Sequence, residues 1–389
     1  LTQRSRMLGA ALLLLLLTII LSACGGTPVA QNWPGLTLAG DTIYAISGSP
    51  QQVYMLDAGN GTISGTFSPV AETKGTIWWS PVTVGGGLAF VGHTASDTEA
   101  ATLYAFDPET GQEQWKVAAE SLILPAPFYA DGVVYFGASD GCVYAADVET
   151  KRLKPGWPPI DDTGELACQA QEAIWATPLV ADGRVYVAAM DHHVYSLDAE
   201  TGEVLWTSQV GGAMAAPPTL VVEDGVLYVG AFDGQLYAIK AESGELVEGF
   251  GFEASNWIWS KVLALGDQIF VTSLDGNLYA LDPANGAEIW SYCGTVKEDS
   301  GRCKDTVLRA GPVDAGGSII IATESGELTA VVDAVRQWNW PSGTPQADIL
   351  TTPVVSEDMI YVILMDGQVQ ALEVENGAQA WTFTPPESK

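Results

Sequence analysis

Residues 105–115 read AFDPETGQEQW, and the pattern returns as SLDAETGEVLW at 196–206, ALDPANGAEIW at 280–290 and ALEVENGAQAW at 371–381. Each copy passes from a short apolar stretch through an acid and a glycine turn to a tryptophan. Four weaker copies stand at 55–67, 145–157, 238–250 and 330–340, with Lys151 replacing the turn glycine in the second and the turn rewritten around Val332 in the last. The motif acid or its stand-in falls at 57, 107, 147, 198, 240, 282, 332 and 373, a mean spacing of about 45 residues. A unit of that length cannot bury its own apolar face, so the copies must pack on one another.

The sequence between motifs reads as strands. Runs such as 133–136, 185–187, 226–229 and 360–362 are β-branched and alternating. Asp-Gly pairs follow at 140, 233, 275 and 366, the strongest short-range hairpin signal, and Tyr104, Tyr144, Tyr195, Tyr237 and Tyr279 mark the next strand. Pro81, Pro127, Pro178, Pro218, Pro312 and Pro353 recur ahead of these runs, with Lys261 in the proline's place in one repeat. Proline has no N–H for a ladder, so the strand that carries it has a free edge, as the innermost strand of a propeller blade does. No segment reads as a helix. The expectation is an all-β, eight-bladed propeller of four-stranded antiparallel blades, a seven-bladed ring being the alternative, with one propeller domain over 33–385.

The charge narrows the function. With 16 Lys and Arg against 47 Asp and Glu, the formal net charge is -31. Nucleic acid is excluded as a partner, because phosphate binding needs a clustered cationic face. At the N-terminus, Arg4 and Arg6 precede an apolar run from Met7 to Leu21, too short to span a bilayer and suited to an export signal over 1–23. It ends in Leu21, Ser22, Ala23 and Cys24, which resembles a bacterial lipobox; that resemblance implies acylation of Cys24, with 24–32 a short tether. The expected place is the outer face of the cytoplasmic membrane, or the periplasm or outer membrane of a cell with two membranes, reached through the anchor alone.

The motif of small residue, acid, Thr-Gly and Trp resembles the tryptophan-docking repeat of the pyrroloquinoline-quinone (PQQ) propeller superfamily over essentially the whole chain. The resemblance implies that Trp115, Trp157, Trp206, Trp290 and Trp381 lock blade to blade, with Phe67 and Phe250 as substitutes. It also implies two kinds of function. Quinoprotein dehydrogenases of that superfamily hold PQQ and calcium on the channel axis and carry a disulfide between adjacent cysteines. The BamB-like lipoproteins are a non-catalytic branch. No adjacent cysteine pair, Cys-x-x-Cys-His site or long insertion is present in this sequence. The favoured reading is a non-enzymatic, monomeric scaffold for a protein or peptide partner, without a cofactor; the alternatives are a PQQ- and calcium-dependent dehydrogenase or a degenerate relative, and a ligand-sensing ectodomain.

Other chemistry is weaker. His192 and His193 point apart if extended, and zinc wants three or four converging ligands. Asp161, Asp162 and Glu165 lack EF-hand spacing and read as a solvated loop. An even number of cysteines beyond Cys24, in an exported chain, reads as disulfides, Cys293 with Cys303 and Cys142 with Cys168. Three residues before each proline position stand Trp78, Leu124, Trp175, Ala215, Ile258, Arg309 and Leu350, with Trp79, Trp257 and Trp259 beside them. These are expected to ring the channel mouth, and aromatics and Arg are the residue types of binding hot spots. Of them, Trp78, Trp79, Trp175, Trp257, Trp259 and Arg309 are the candidates to capture an extended peptide or small ligand, Arg309 fixing a carboxylate. The bland alternative is that the tryptophans plug the ring.

Overall fold

A computed structural model describes residues 35–48, 51–68, 80–93, 101–161, 163–294, 302, 303, 305–342, 345 and 347–386. The expected export signal, Cys24 and the tether lie outside them, as do Trp78, Trp79 and Asp162. The described residues form eight antiparallel sheets of four strands and no helix. Blades one to eight span 36–67, 83–119, 128–153, 179–209, 219–253, 263–292, 313–340 and 354–383. Blade four shows the plan, with strands Leu179–Ala181, Arg184–Ala188, His193–Asp198 and Val204–Gln209 paired in chain order. First strands adjoin at six of the eight seams, that of blades one and eight included, so the chain's two ends meet at the inner edge. All four strands of blade one come from the N-terminal side and all four of blade eight from the C-terminal side. The seam is therefore closed by packing, without an exchanged strand.

The core is a set of slabs between blades. Residues from both sides fill each slab, as with Tyr361, Ile363, Val369 and Ala371 of blade eight against Leu36, Ile43, Ala45 and Leu56 of blade one. The motif turn organises the outer part of each seam. In blade four, Asp198 Oδ1 accepts the N–H groups of Glu200 and Thr201 at 3.0 and 2.8 Å, and Gly202 N donates back to Asp198 O at 2.9 Å. Those bonds hold the Asp198 carboxyl below the usual carboxylate range. Gly202 has φ 77°, and the indole of Trp157 lies where its Cβ would be.

The docking aromatic packs on an aromatic of its own second strand: Trp115 on Phe90, Trp157 on Tyr135, Trp206 on Tyr186, Phe250 on Tyr228, Trp290 on Phe270 and Trp381 on Tyr361, with ring centroids 5.5–6.0 Å apart. In two of these pairs both members reach one carbonyl of the next blade. Ala58 O accepts Trp381 Nε1 at 3.1 Å and Tyr361 Oη at 3.1 Å, and Ala241 O accepts Trp206 Nε1 at 3.1 Å and Tyr186 Oη at 3.4 Å. Trp115, Trp157 and Trp290 dock by packing alone, their indole nitrogens having no hydrogen-bond partner.

Two expectations about the motif need correction. Phe67 is not a docking substitute. The residue paired with Met55, where other blades set their tryptophan, is Gly65; Met55 fills the space, and Phe67 stacks on Phe106 at 4.3 Å. In blade seven the docking residue is Trp338, not Trp340. Asp333 and Ala334, at φ 46° and 62°, make a two-residue turn that shortens the hairpin, so Ala330 pairs with Trp338, whose Nε1 donates to Val374 O at 3.0 Å.

Replacing Gly244 by Ala would place a Cβ about 2.6 Å from the Trp206 ring at a φ of 75°. We expect a loss of about 2–4 kcal/mol in urea unfolding, against about 1 kcal/mol for Gly225→Ala, where φ is 62° and the space is open. Equal losses would show backbone strain, and not docking, to be the sensitive term.

Candidate functional site

The face that carries the second-to-third-strand turns also carries the passages from one blade's outer strand to the next blade's inner strand. The residue before each turn acid sits under such a passage and donates its N–H to it: Ser139 to Leu122 O, Met190 to Ala173 O, Phe232 to Ala213 O and Leu274 to Trp257 O, all at 2.9–3.0 Å. The turn carboxylates then brace the face. Asp140, Asp191, Asp233 and Asp275 each accept a tyrosine hydroxyl from the adjoining strand at 2.6–2.7 Å, from Tyr144, Tyr195, Tyr237 and Tyr279. Burial, reinforced by the neighbouring carboxylate, raises these phenols, Tyr237 to about 12. Burial likewise pushes the Asp140 carboxyl up.

Both disulfides lie on this face. Cys142, just after a turn, joins Cys168 in the following passage, and Cys293 joins Cys303 in the passage from blade six to blade seven. Cys303 N donates to Asp275 O at 2.7 Å, so that bridge holds its loop down on the blade-six turn.

The register of the passages differs from the sequence expectation in two repeats. Thr37, Thr83 and Thr219 hydroxyls donate to Val82 O, Pro127 O and Val262 O, making Val82 and Val262, and not Pro81 and Lys261, the counterparts of Pro127. Ile258 is consequently fully buried, in line with Ile123, Ile174 and Met214, and does not reach the rim. Trp259 takes its place in the repeat, the position that Trp175 and Arg309 hold in theirs.

Three of the candidates come together. Trp257 and Trp259 stack on Phe232 with centroids 4.7 and 4.9 Å apart and planes within 14°, and the Arg309 guanidinium lies 4.9 Å over the Trp259 ring. Arg309 also pairs with Glu324 at 3.4 Å. Trp257 is 41% exposed, while Trp175 is half-buried at a separate point of the rim. Phe232 was missed by sequence reasoning; its position directly before the Asp233-Gly234 turn is the signal that places it here. The result is a ladder of aromatic faces ending in a cation, on a strongly acidic molecule.

Among the described residues, the turn carboxylates and the cysteines offer no free ligand set for a quinone and calcium. Turn carboxylates are engaged by tyrosines and backbone N–H groups, and the cysteines of the two bridges are not adjacent in sequence. Among the described residues, the one convergent set of three acid, His or Cys ligand atoms is Asp140, Cys142 and Cys168, whose sulfurs are spent in the disulfide. His192 takes the positive-φ place of a turn glycine and bonds Gly211 O at 2.9 Å, while His193 turns to Asp191. Asp161 accepts the N–H groups of Thr163 and Glu165 and shapes its own loop.

Fold and docking repeat together define an eight-bladed propeller of the PQQ-repeat type. A profile of the family described as "Outer membrane protein assembly factor BamB" matches residues 49–157, 160–249, 194–339 and 275–389, and the chain belongs to that family. A relative of that name from Moranella endobia (strain PCIT) is 28% identical over 189 residues, 47% of this chain and 45% of the relative, so the match spans less than half the relative's length. Among solved structures, BamB from Moraxella catarrhalis aligns with TM-score 0.65 at 20% identity, covering 88% of this chain and 94% of that one. A europium-containing methanol dehydrogenase aligns with TM-score 0.59 at 14% identity, over 87% and 81%. At those identities the likeness is one of fold.

The tyrosine-carboxylate braces make a pH prediction. A phenol whose folded pKa is raised adds stability that is full below its unfolded value, about 10, and is lost as pH rises through the folded value. Absorbance titration should show tyrosines ionising well above 10, Tyr237 at about 12 and lower in Asp233→Asn, with urea stability falling from pH about 10 upward. A single class near 10 would refute the braces.

Proposed function

We propose that this chain is an exported, lipid-anchored, non-enzymatic propeller that holds a protein partner at the cell envelope, as the description of its relatives as outer-membrane protein assembly factors suggests. The observation that carries the reading is the ladder of Phe232, Trp257 and Trp259 with Arg309 at its end, half-buried but exposed at Trp257, on the face braced by both disulfides. Rigid aromatics beside a cation supply contact area with little loss of side-chain entropy, the composition of a binding hot spot. The Arg309 guanidinium suits a carboxylate of the partner. Membership of the family supports a scaffold over an enzyme, and the ligand set described above does not favour quinone chemistry. The Cys24 anchor holds the propeller at the membrane surface, with the tether of 24–32 limiting its reach.

A photo-crosslinking residue at Trp257 should give a discrete protein adduct in cells. The same residue at Val222, exposed on the turn between the first two strands of blade five and so on the opposite face, should give none. Trp257→Ala should reduce capture of that adduct's partner at least tenfold with the melting temperature unchanged. Equal crosslinking from both faces, or calcium-dependent dye reduction by the protein with added PQQ, would overturn the proposal.

A further inference from the structure

The third strand of blades one to six carries a tyrosine directed at the preceding blade: Tyr54, Tyr104, Tyr144, Tyr195, Tyr237 and Tyr279. At three seams its ring meets an aromatic ring on the preceding blade's outer strand. Phe67 lies 5.8 Å from Tyr104, Phe252 4.9 Å from Tyr279, and Phe383 5.1 Å from Tyr54. Trp340 holds the same place on blade seven, paired with Leu328 as Phe67 is with Val53 and Phe383 with Val369. Its counterpart in blade eight is not tyrosine but Gln370. The tyrosine ring of blades one to six is missing here, as it is in blade seven, where Thr329 holds the position, and beside Gln370 stands a cavity of about 270 Å³, with Trp340 and Pro341 on one wall and Gln368, Gln370, Gln379 and Thr382 on the other.

The polar wall is pre-organised. Gln379 Nε2 donates to Thr382 Oγ1 at 2.7 Å, Thr382 Oγ1 to Gln370 Oε1 at 2.6 Å, Gln370 Nε2 to Gln368 Oε1 at 3.3 Å, and Gln368 Nε2 to Asp366 Oδ2 at 2.9 Å. Asp366 thus receives an amide where Asp140, Asp191, Asp233 and Asp275 receive the tyrosine hydroxyl. Each amide nitrogen in this relay has a second hydrogen and each oxygen a second lone pair, so the wall can donate and accept without being rearranged. Among the described residues no charged side chain lines the cavity, and its size is near the lower end for small-molecule sites, about 300 Å³.

One aromatic wall, one wall of neutral amides and room for a single ring select a ligand that is apolar on its face and hydroxylated around its edge. A tyrosyl side chain would offer the amides one hydroxyl. A pyranose sets its C–H groups, which carry partial positive charge, against the negative face of an indole and offers a hydroxyl to several amides at once. The geometry points to a neutral saccharide ring as the ligand of the cavity between blades seven and eight.

Saturation-transfer NMR on the whole protein with glucose, galactose and N-acetylglucosamine, and with N-acetyltyrosinamide for comparison, tests the assignment. At least one saccharide should show transfer. Gln370→Tyr, which restores the ring that six other blades carry, should weaken that saccharide at least tenfold while keeping the melting temperature at or above the wild-type value. Gln379→Ala should weaken it several-fold, and decides the matter if the tyrosine variant does not fold. Transfer to no saccharide, transfer to N-acetyltyrosinamide alone, or undiminished saccharide binding by both variants would overturn the assignment.

Discussion

A single backbone carbonyl per turn carries the order of this ring. The residue after the motif acid, or after Lys240 in its stead, offers its oxygen to the preceding blade, and where both an indole N–H and a tyrosine hydroxyl reach it, as at Ala58 and Ala241, two aromatics are fixed by one acceptor. The turn that presents the carbonyl is set by the acid, whose carboxylate takes two N–H groups, and by a glycine without a Cβ to hold the ring away. Packing then does the larger share of the work, since a buried indole removes far more apolar surface from water than one net hydrogen bond is worth, about 1 kcal/mol. The hydrogen bonds fix which way the ring lies. Blades that lack them, at Trp115, Trp157 and Trp290, show that packing suffices locally.

The blade count was legible because turn glycine and docking tryptophan are bound to each other sterically, so both recur at a fixed distance from the acid. Where that coupling loosens, the reading slips. Blade seven replaces the glycine turn by Asp333-Ala334, and the two-residue hairpin moves the docking position from Trp340 to Trp338. Blade one gives the tryptophan's place to Gly65 and fills the space with Met55. Proline was a good marker of the inner strand in five repeats, and the expected position was one residue off in two, because a valine takes the place there, its carbonyl accepting a threonine hydroxyl as that of Pro127 does. The shift hid Ile258 in the core and brought Trp259 to the rim.

The candidate face was half legible. Trp257, Trp259 and Arg309 could be picked out by type and by distance from the inner strand, but Phe232 enters from a hairpin turn of another blade, and only the N–H bonds that tie turns to passages bring it under them. Rigidity there follows from the same economy as in the seams: a turn carboxylate that would be exposed is engaged by a tyrosine of the next strand, and two passages are stapled to the body by disulfides. A ring assembled from near-identical seams also makes its exceptions conspicuous. Glutamine stands at 370 where six blades carry tyrosine, and a cavity opens beside it, which no count of motifs would have shown.

The closing seam offers the most direct test that one shared carbonyl governs blade docking, because there no strand is exchanged between the two ends of the chain and Ala58 O has two donors. Urea unfolding of Tyr361→Phe, Trp381→Phe and the double variant forms a double-mutant cycle. With either donor left, the buried acceptor stays satisfied; with both gone it is orphaned, at about 1–3 kcal/mol. The double variant should therefore lose more stability than the two single losses together. Losses that add, or a double variant no worse than Trp381→Phe, would contradict the account.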